Sequence, residues 1–192
     1  MLSLEQGETL VKFARKSINQ CFKGDFFEWR SEFSVKQGVF VTLLNFPSHE
    51  LRGCIGFPYP ELPLGKAVLN AAKAAAFSDP RFQPLEQNEL SSIIIELSVL
   101  TKPEEIKSKK ELGKKIKIGK DGLIVNFQDN SGLLLPQVAV EWKWDSEEFI
   151  KQTCIKAGLH PEAWRNPQCR IYTFQAQVFS EKKPNGKVIE KS

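Results

Sequence analysis

Gly38-Val39-Phe40-Val41-Thr42-Leu43-Leu44-Asn45-Phe46, Pro47-Ser48-His49-Glu50 and Leu51-Arg52-Gly53-Cys54-Ile55-Gly56-Phe57 form the stretch on which the fold turns. Val39 to Leu44 is apolar or β-branched throughout, which predicts a strand. Pro47 to Glu50 predicts a turn, with His49 exposed to solvent. Leu51 to Phe57 then predicts a returning strand, antiparallel to the first. Pro58, Pro60 and Pro63 stop it. The later strands are separated by turns or by single helices, without a regular βαβ rhythm. That pattern predicts an α+β fold, an antiparallel β-sheet flanked by helices.

The hexapeptide Leu51-Arg52-Gly53-Cys54-Ile55-Gly56 is also the first candidate for chemistry. Gly53 and Gly56 permit unusual backbone angles and let another group approach closely, as a ligand would. Arg52 can hold an anion in its planar fork of donors. Cys54 is a candidate nucleophile or redox thiol if the neighbouring positive charge favours its thiolate. The same residues also read as architecture, a small packed thiol between glycines that mark a strand bend.

Upstream, Ser3 caps a helix and Gln6 is its capping-box partner. Leu10, Val11, Ala14, Ile18, Cys21 and Phe22 fall on one stripe, so Cys21 is expected to pack, and Gly24 ends the helix. Downstream, Leu64 to Phe77 predicts a helix whose alanines, Ala67, Ala71, Ala74 and Ala75, let it approach a sheet closely. Ser78-Asp79-Pro80-Arg81-Phe82 follows, where Asp79 and Arg81 can pair across the proline. That pair either locks the loop or leaves Arg81 to bind an anion with Arg52, Asp79 serving as a proton carrier. Leu90 to Thr101 carries a strand with Ile93, Ile95, Leu97 and Val99 toward the core. Glu96 and Ser98 lie on its other face. Glu96 is a candidate proton carrier if that face lines a cleft, and otherwise faces water.

In the second half, turns at Gly119-Lys120-Asp121-Gly122 and Asp129-Asn130-Ser131-Gly132 bracket a strand from Leu123 to Gln128. Leu133 to Leu135 runs into Pro136, which suits the first position of a helix. Gln137 then lies in the first turn, where its amide can cap or reach a ligand at an anion-favouring N-terminus. Ser146 is expected to cap a helix from Glu147 to Ala157, with Phe149, Ile150, Thr153 and Cys154 inward and Gly158 ending it. His160-Pro161 leads a short helical turn to Trp164. Arg170 to Phe179 predicts the last strand, with Tyr172, Phe174, Ala176 and Val178 on one apolar face. The chain then turns polar. Residues 1–180 are expected to form the domain and 181–192 a polar tail.

Bulk properties narrow the classes. A chain of 192 residues is one domain or two small lobes, and 41% hydrophobic with 26% charged residues is ordinary globular composition. No apolar run approaches the ~20 residues that span a bilayer. The N-terminus lacks a basic region followed by an apolar run, so no signal peptide is expected and the chain should be cytosolic. Cys21, Cys54, Cys154 and Cys169 show no metal-ligand spacing, nor do His49 and His160. Net charge is +4, and Lys102–Lys120 alone carries +5, from eight lysines against Glu104, Glu105 and Glu111. Such a run is a solvated face or a nucleic-acid patch. No aromatic residue interrupts it to stack a base, and no nucleic-acid-binding motif accompanies it.

Leu51-Arg52-Gly53-Cys54-Ile55-Gly56 resembles the signature of the AMMECR domain family, named for the Alport syndrome, intellectual disability, midface hypoplasia and elliptocytosis chromosomal region. Further stretches resemble the family in the same order: Ser78 to Phe82 with Pro84-Leu85, Glu96 to Thr101, Gly132 to Ala139, and Trp144-Asp145. The resemblance implies an α+β fold with a larger and a smaller lobe and motif residues gathered at a cleft between them. It implies no established reaction. In some bacteria such domains occur with a mediator-of-cell-motility protein and a radical S-adenosylmethionine protein, which suggests an accessory role in a redox or modification pathway. This chain has no cysteine triad for an iron–sulfur cluster.

Three functions follow as alternatives. The first is an enzyme or a small-anion-binding protein. Cys54 and Glu96 would be its chemical groups, and Arg52, Gly53, Gly56, Asp79, Arg81 and Gln137 its binding residues. A nucleophilic cysteine needs a base in reach, and the sequence ties no imidazole to Cys54. The second is a protein-interaction scaffold. The third, nucleic-acid binding through 102–120, is disfavoured. No cofactor is identified, and the partner is a small molecule or a protein of unknown identity.

Overall fold

The computed structural model of the chain describes residues 1–24, 31–109 and 112–191. It is an α+β structure with antiparallel pairing between its strands. Two compact units divide the chain: Met1–Leu100 with Gln177–Ser192, and Thr101–Ala176.

The first unit opens with α1 (Leu4–Lys23). Ser3 caps it in a capping box with Gln6, and Gly24 ends it in the left-handed region at φ 71°. Leu10, Val11, Ala14 and Ile18 are fully buried. Cys21 shares their helical angle but lies in the last turn and is exposed, so it does not pack as expected. Strands β1 (Val39–Asn45) and β2 (Leu51–Phe57) pair antiparallel, with Thr42 opposite Cys54. His49, in the turn between them, is exposed. α2 (Leu64–Phe77) packs on both strands, and β3 (Ile93–Leu100) pairs on the other side of β1. Val39, Val41, Leu43, Ile93, Ile95, Leu97 and Val99 share the core with α1 and α2.

The second unit begins with the two-residue strand β4 (Glu104–Glu105) and the short helix α3 (Leu112–Lys115). In the lysine-rich segment, Ile106, Leu112 and Ile116 join the core, while Lys102, Lys107, Lys117 and Lys120 are exposed. This is the pattern of a solvated face over an apolar anchor. β5 (Asp121–Phe127) and β6 (Asn130–Leu134) form a hairpin around Gln128-Asp129, with Gln128 at φ 53°. Asp121-Gly122 and Asn130-Ser131-Gly132 are therefore strand residues, not turns. Their backbones pair with β7 and β5 respectively.

α4 (Pro136–Glu141) starts at Pro136 as expected, and α5 (Ser146–Lys156) follows. Asp145, not Ser146, caps α5, its Oδ1 accepting from the Glu148 N–H at 2.8 Å. Phe149, Ile150, Thr153 and Cys154 point inward as expected.

Strand β7 (Arg170–Glu181) passes from the second unit into the first between Ala176 and Gln177. Its buried apolar residues are Ile171 and Phe174 in the second unit and Phe179 in the first. Phe174 lies on the even-numbered face expected to be apolar, whereas Ile171 and Phe179 lie on the other and Tyr172, Ala176 and Val178 are only partly buried. Two separate cores draw on one long strand, so a single alternation does not describe it. Residues 181–191 are not a frayed tail. β8 (Val188–Lys191) pairs with β7 from Val178 to Glu181, and Glu181 is buried. Arg15 holds Glu181 through Nε and Nη2 at 2.7 and 2.5 Å and donates to the Leu90 and Ile93 carbonyls. The Ile95 N–H also donates to Glu181, at 2.9 Å.

Candidate functional site

The LRGCIG strand is built by close contacts. A Cβ placed on Gly53 would lie 2.2 Å from the Ala75 carbonyl oxygen of α2, so only glycine lets helix and strand meet here. A Cβ on Gly56 would lie 2.4 Å from the Phe40 ring and 2.5 Å from the Val39 carbonyl oxygen. Both motif glycines therefore serve packing.

At the edge of β2, the loop after α2 closes on the strand. Asp79 Oδ2 accepts from the Cys54 N–H at 2.8 Å, and Arg81 Nη2 donates to the Cys54 carbonyl at 3.1 Å. Arg81 also donates to Asp79 through its backbone N–H, Nε and Nη2 at 3.1, 2.9 and 2.7 Å. One acid and one base thus take the peptide group that a further strand would have taken. The Arg81 side chain, followed by the two N–H donors, holds the Asp79 carboxyl well below the usual carboxylate range.

Arg52 is engaged too. Its Nε and Nη2 donate to the two oxygens of Glu89 at 2.7 and 2.9 Å. This fork holds the Glu89 carboxyl below its ordinary value. The guanidiniums of Arg52 and Arg81 lie 6.0 and 5.5 Å from the Phe82 ring centroid. Arg52, Cys54, Asp79 and Arg81 are thus gathered, but each arginine already carries a carboxylate. Anion binding here would have to displace or share those pairs.

Thr42 and Cys54 are opposite one another in a pair whose Cys54 N–H turns outward to Asp79, the closer type of antiparallel pair. The Thr42 hydroxyl donates to Cys54 Sγ at 3.2 Å. Burial pushes the half-buried Cys54 thiol above its ordinary value, against smaller downward pulls from Thr42 and Arg81. His49 is exposed in the β1–β2 turn, and His160 caps the turn Pro161–Arg165 in the second unit, where its Nδ1 accepts from the Glu162 N–H at 3.2 Å.

Glu96 stands opposite Thr42 on the other side of β1. Cys54, Thr42 and Glu96 therefore form one cross-strand row, the outer two about 10 Å apart by strand spacing. Glu96 does not face water. It is 8% exposed and pairs with Lys191 Nζ at 2.5 Å. Ser98, on the same face of β3 as Glu96, is 1% exposed, and its Oγ has no hydrogen-bond partner among the described residues. Gln137 occupies the second position of α4, in the second unit and partly exposed. That helix has only six residues, too short for the anion site expected at its start.

Thr42, Phe82, Glu89, Ser98 and Lys191 were not singled out from the sequence as site residues. Counting back from the Pro47–Glu50 turn could have matched Thr42 to Cys54. No local signal ties Glu89 to Arg52, and Lys191 lay in the presumed tail.

The AMMECR1 family model matches residues 11–179. A protein of Methanocella arvoryzae is 49% identical over 197 residues, spanning 100% of this chain and 98% of that protein. One from Methanocaldococcus jannaschii is 47% identical over 196 residues, with 100% and 98% covered. The crystal structure of an uncharacterised protein from Pyrococcus horikoshii superposes with a TM-score of 0.92 at 46% identity, covering 97% of each chain.

Proposed function

The chain belongs to the AMMECR1 family, and from that premise we propose that it binds a small polar ligand on the sheet face carrying Thr42, Cys54, Glu96 and Ser98. The observation that carries this reading is the Ser98 hydroxyl, buried without a hydrogen-bond partner among the described residues, two positions along β3 from the buried Glu96 carboxylate. A buried polar group left unpaired costs about 1–3 kcal/mol, which a ligand acceptor would offset. Glu96 and Lys191 add an acid and a base at the same face, and the Cys54 thiol adds a soft, neutral contact.

Catalysis by Cys54 is the weaker reading. Its thiol is pushed up, its side-chain hydrogen bond comes from the Thr42 hydroxyl and not from an imidazole, and both arginines are paired with carboxylates. Ligand binding suits an accessory role in a redox or modification pathway, as the family resemblance suggests.

The test is a nitrogen-15 NMR titration of the full chain with free amino acids and their amides. These probes carry an acceptor for Ser98 and a donor for Glu96. The expected result is amide shifts at Thr42, Glu96 and Ser98, slower alkylation of Cys54, and about tenfold weaker binding in S98A. No shift on that face, or Cys54 alkylation with a midpoint well below the ~8.5 of an ordinary thiol, would overturn the reading.

A further inference from the structure

A cavity of about 450 Å³ opens within the second unit, where the ends of β4, β5 and β7 come together. Its size is in the range of sites for small organic ligands, roughly 300–1,000 Å³. Three cations line it: Lys107 and Lys109, which follow β4, and Arg170, which opens β7. The pairing of these strands sets Glu105 opposite Tyr172, and the Ile106 N–H donates to the Ile171 carbonyl at 2.8 Å. Lys107 comes directly after that bonded pair and Arg170 directly before it. Bonded antiparallel residues stand about 5.5 Å apart at Cα, so both long side chains start within reach of one anion. Lys109 is two residues further on, at most about 7 Å of backbone from Lys107.

The side chains of Lys107 and Arg170 are exposed and have no hydrogen-bond or ion-pair partner among the described residues. Lys109 Nζ donates to the Asn166 carbonyl, a neutral acceptor that leaves its charge in place, and an ammonium has two further N–H groups to offer. Glu105 is the one acid among the described lining residues, so three cations less one carboxylate leave a formal charge of +2. Like charges gathered at the end of a strand pair repel one another, and a bound dianion offsets that. Phe127, at the end of β5, packs on the unit's core, is partly exposed and lines the same cavity. Gln128 and Gln168 flank it with exposed side-chain amides, each a donor and an acceptor without a partner among the described residues. Clustered cations beside an aromatic ring and two open amides call for a ligand that is a dianion at one end and a flat polar ring at the other.

We propose that this cavity binds a nucleoside monophosphate, its phosphate held by Lys107, Lys109 and Arg170 and its base lying on Phe127. Every base has a face that stacks on an aromatic ring, and the amides of Gln128 and Gln168 can meet its polar edge. A concave site with its cations gathered at one point fits a single nucleotide better than a nucleic-acid strand, which asks for an extended basic surface.

Isothermal titration of the full chain with adenosine 5′-monophosphate tests this, against adenosine, inorganic phosphate and a single-stranded oligonucleotide. The monophosphate should bind more tightly than inorganic phosphate, and adenosine should not bind detectably. The K107Q/R170Q variant should lose about tenfold or more in affinity for the monophosphate and for inorganic phosphate. F127L should weaken the monophosphate severalfold and leave inorganic phosphate unchanged. Lys107 and Arg170 are exposed, so their replacement leaves the fold intact, and unchanged thermal unfolding checks this. Should F127L unfold, the double variant and the comparison of ligands still decide. No binding by the wild type, equal binding of the monophosphate and inorganic phosphate, tighter binding of the oligonucleotide, an affinity that K107Q/R170Q leaves unchanged, or a folded F127L that binds as the wild type does would each overturn the proposal. None of these outcomes bears on the face that carries Ser98.

Discussion

Replacing Asp79 by alanine or asparagine tests whether the loop after α2 seals the edge of the sheet. Asp79 is 4% exposed and accepts four hydrogen bonds, from the Cys54 N–H and from the backbone N–H, Nε and Nη2 of Arg81. Alanine removes all four. The Arg81 side chain is 49% exposed, so water takes over most of its share and the ion pair itself is worth about 0–1 kcal/mol. The larger loss comes from the Cys54 N–H, stranded at about 1–3 kcal/mol. D79A is therefore expected to lose about 1–4 kcal/mol, and D79N about half, because its amide oxygen still accepts. Urea titration at neutral pH, read as a midpoint shift at constant slope, measures both. The pH dependence supplies a second check. Asp79 is held below its unfolded value of about 3.9, so its contribution is complete above that value and is lost as pH falls toward the folded one. The gap between wild type and D79N should begin to narrow below about pH 4 and go on narrowing as the pH falls toward the folded value. A gap that stays constant in acid, or a D79A variant as stable as wild type, would refute the clamp.

The other substitutions probe packing. Gly53→Ala puts a Cβ against the Ala75 carbonyl oxygen and should destabilise by about 1–3 kcal/mol in the same titration. An unchanged midpoint would mean that packing does not require the glycine. Arg15→Met leaves Glu181 buried and unpaired and should cost about 3–5 kcal/mol, whereas R15M/E181M should lose clearly less. Equal losses in single and double variants, measured by chemical denaturation, would show that the pair's charge complementarity does not matter.

The hairpin, both long helices and the caps of α1 were legible because each rests on short-range rules. A continuous apolar and β-branched run defines β1, alternation defines β3, the capping box fixes α1, and alanines mark the face of α2 that meets the sheet. The errors arose where a residue answers to something far away in sequence. Glu96 is an acid at an outward strand position, which normally means water. Its partner, Lys191, comes 95 residues later, on a strand hidden in a polar C-terminus. Glu181 looked like the start of a tail for the same reason, since nothing near it announces Arg15. Of the candidate site, the pairing of Asp79 with Arg81 was readable because the two are adjacent in the chain. Their joint hold on the Cys54 peptide was not, since it depends on how the loop docks.

These contacts separate what the hexapeptide owes to architecture from what remains. Gly53 is required by the approach of α2, and Gly56 by the ring of Phe40. Arg52 is spent on Glu89. The Cys54 peptide is spent on Asp79 and Arg81. The backbone and charges of the motif are thus accounted for by the sheet edge and the helix behind it, and chemistry based on free arginines loses its parts. The Cys54 side chain is different. It lies on the opposite face from α2, in line with Thr42 and Glu96, and beyond its bond from Thr42 it takes no part in the edge clamp. The unpaired Ser98 hydroxyl belongs to that same face. On that face Thr42 is bonded to Cys54 and Glu96 to Lys191, so the Ser98 hydroxyl is the group there that the described contacts leave without a hydrogen bond, and the proposed ligand reading stands or falls with it.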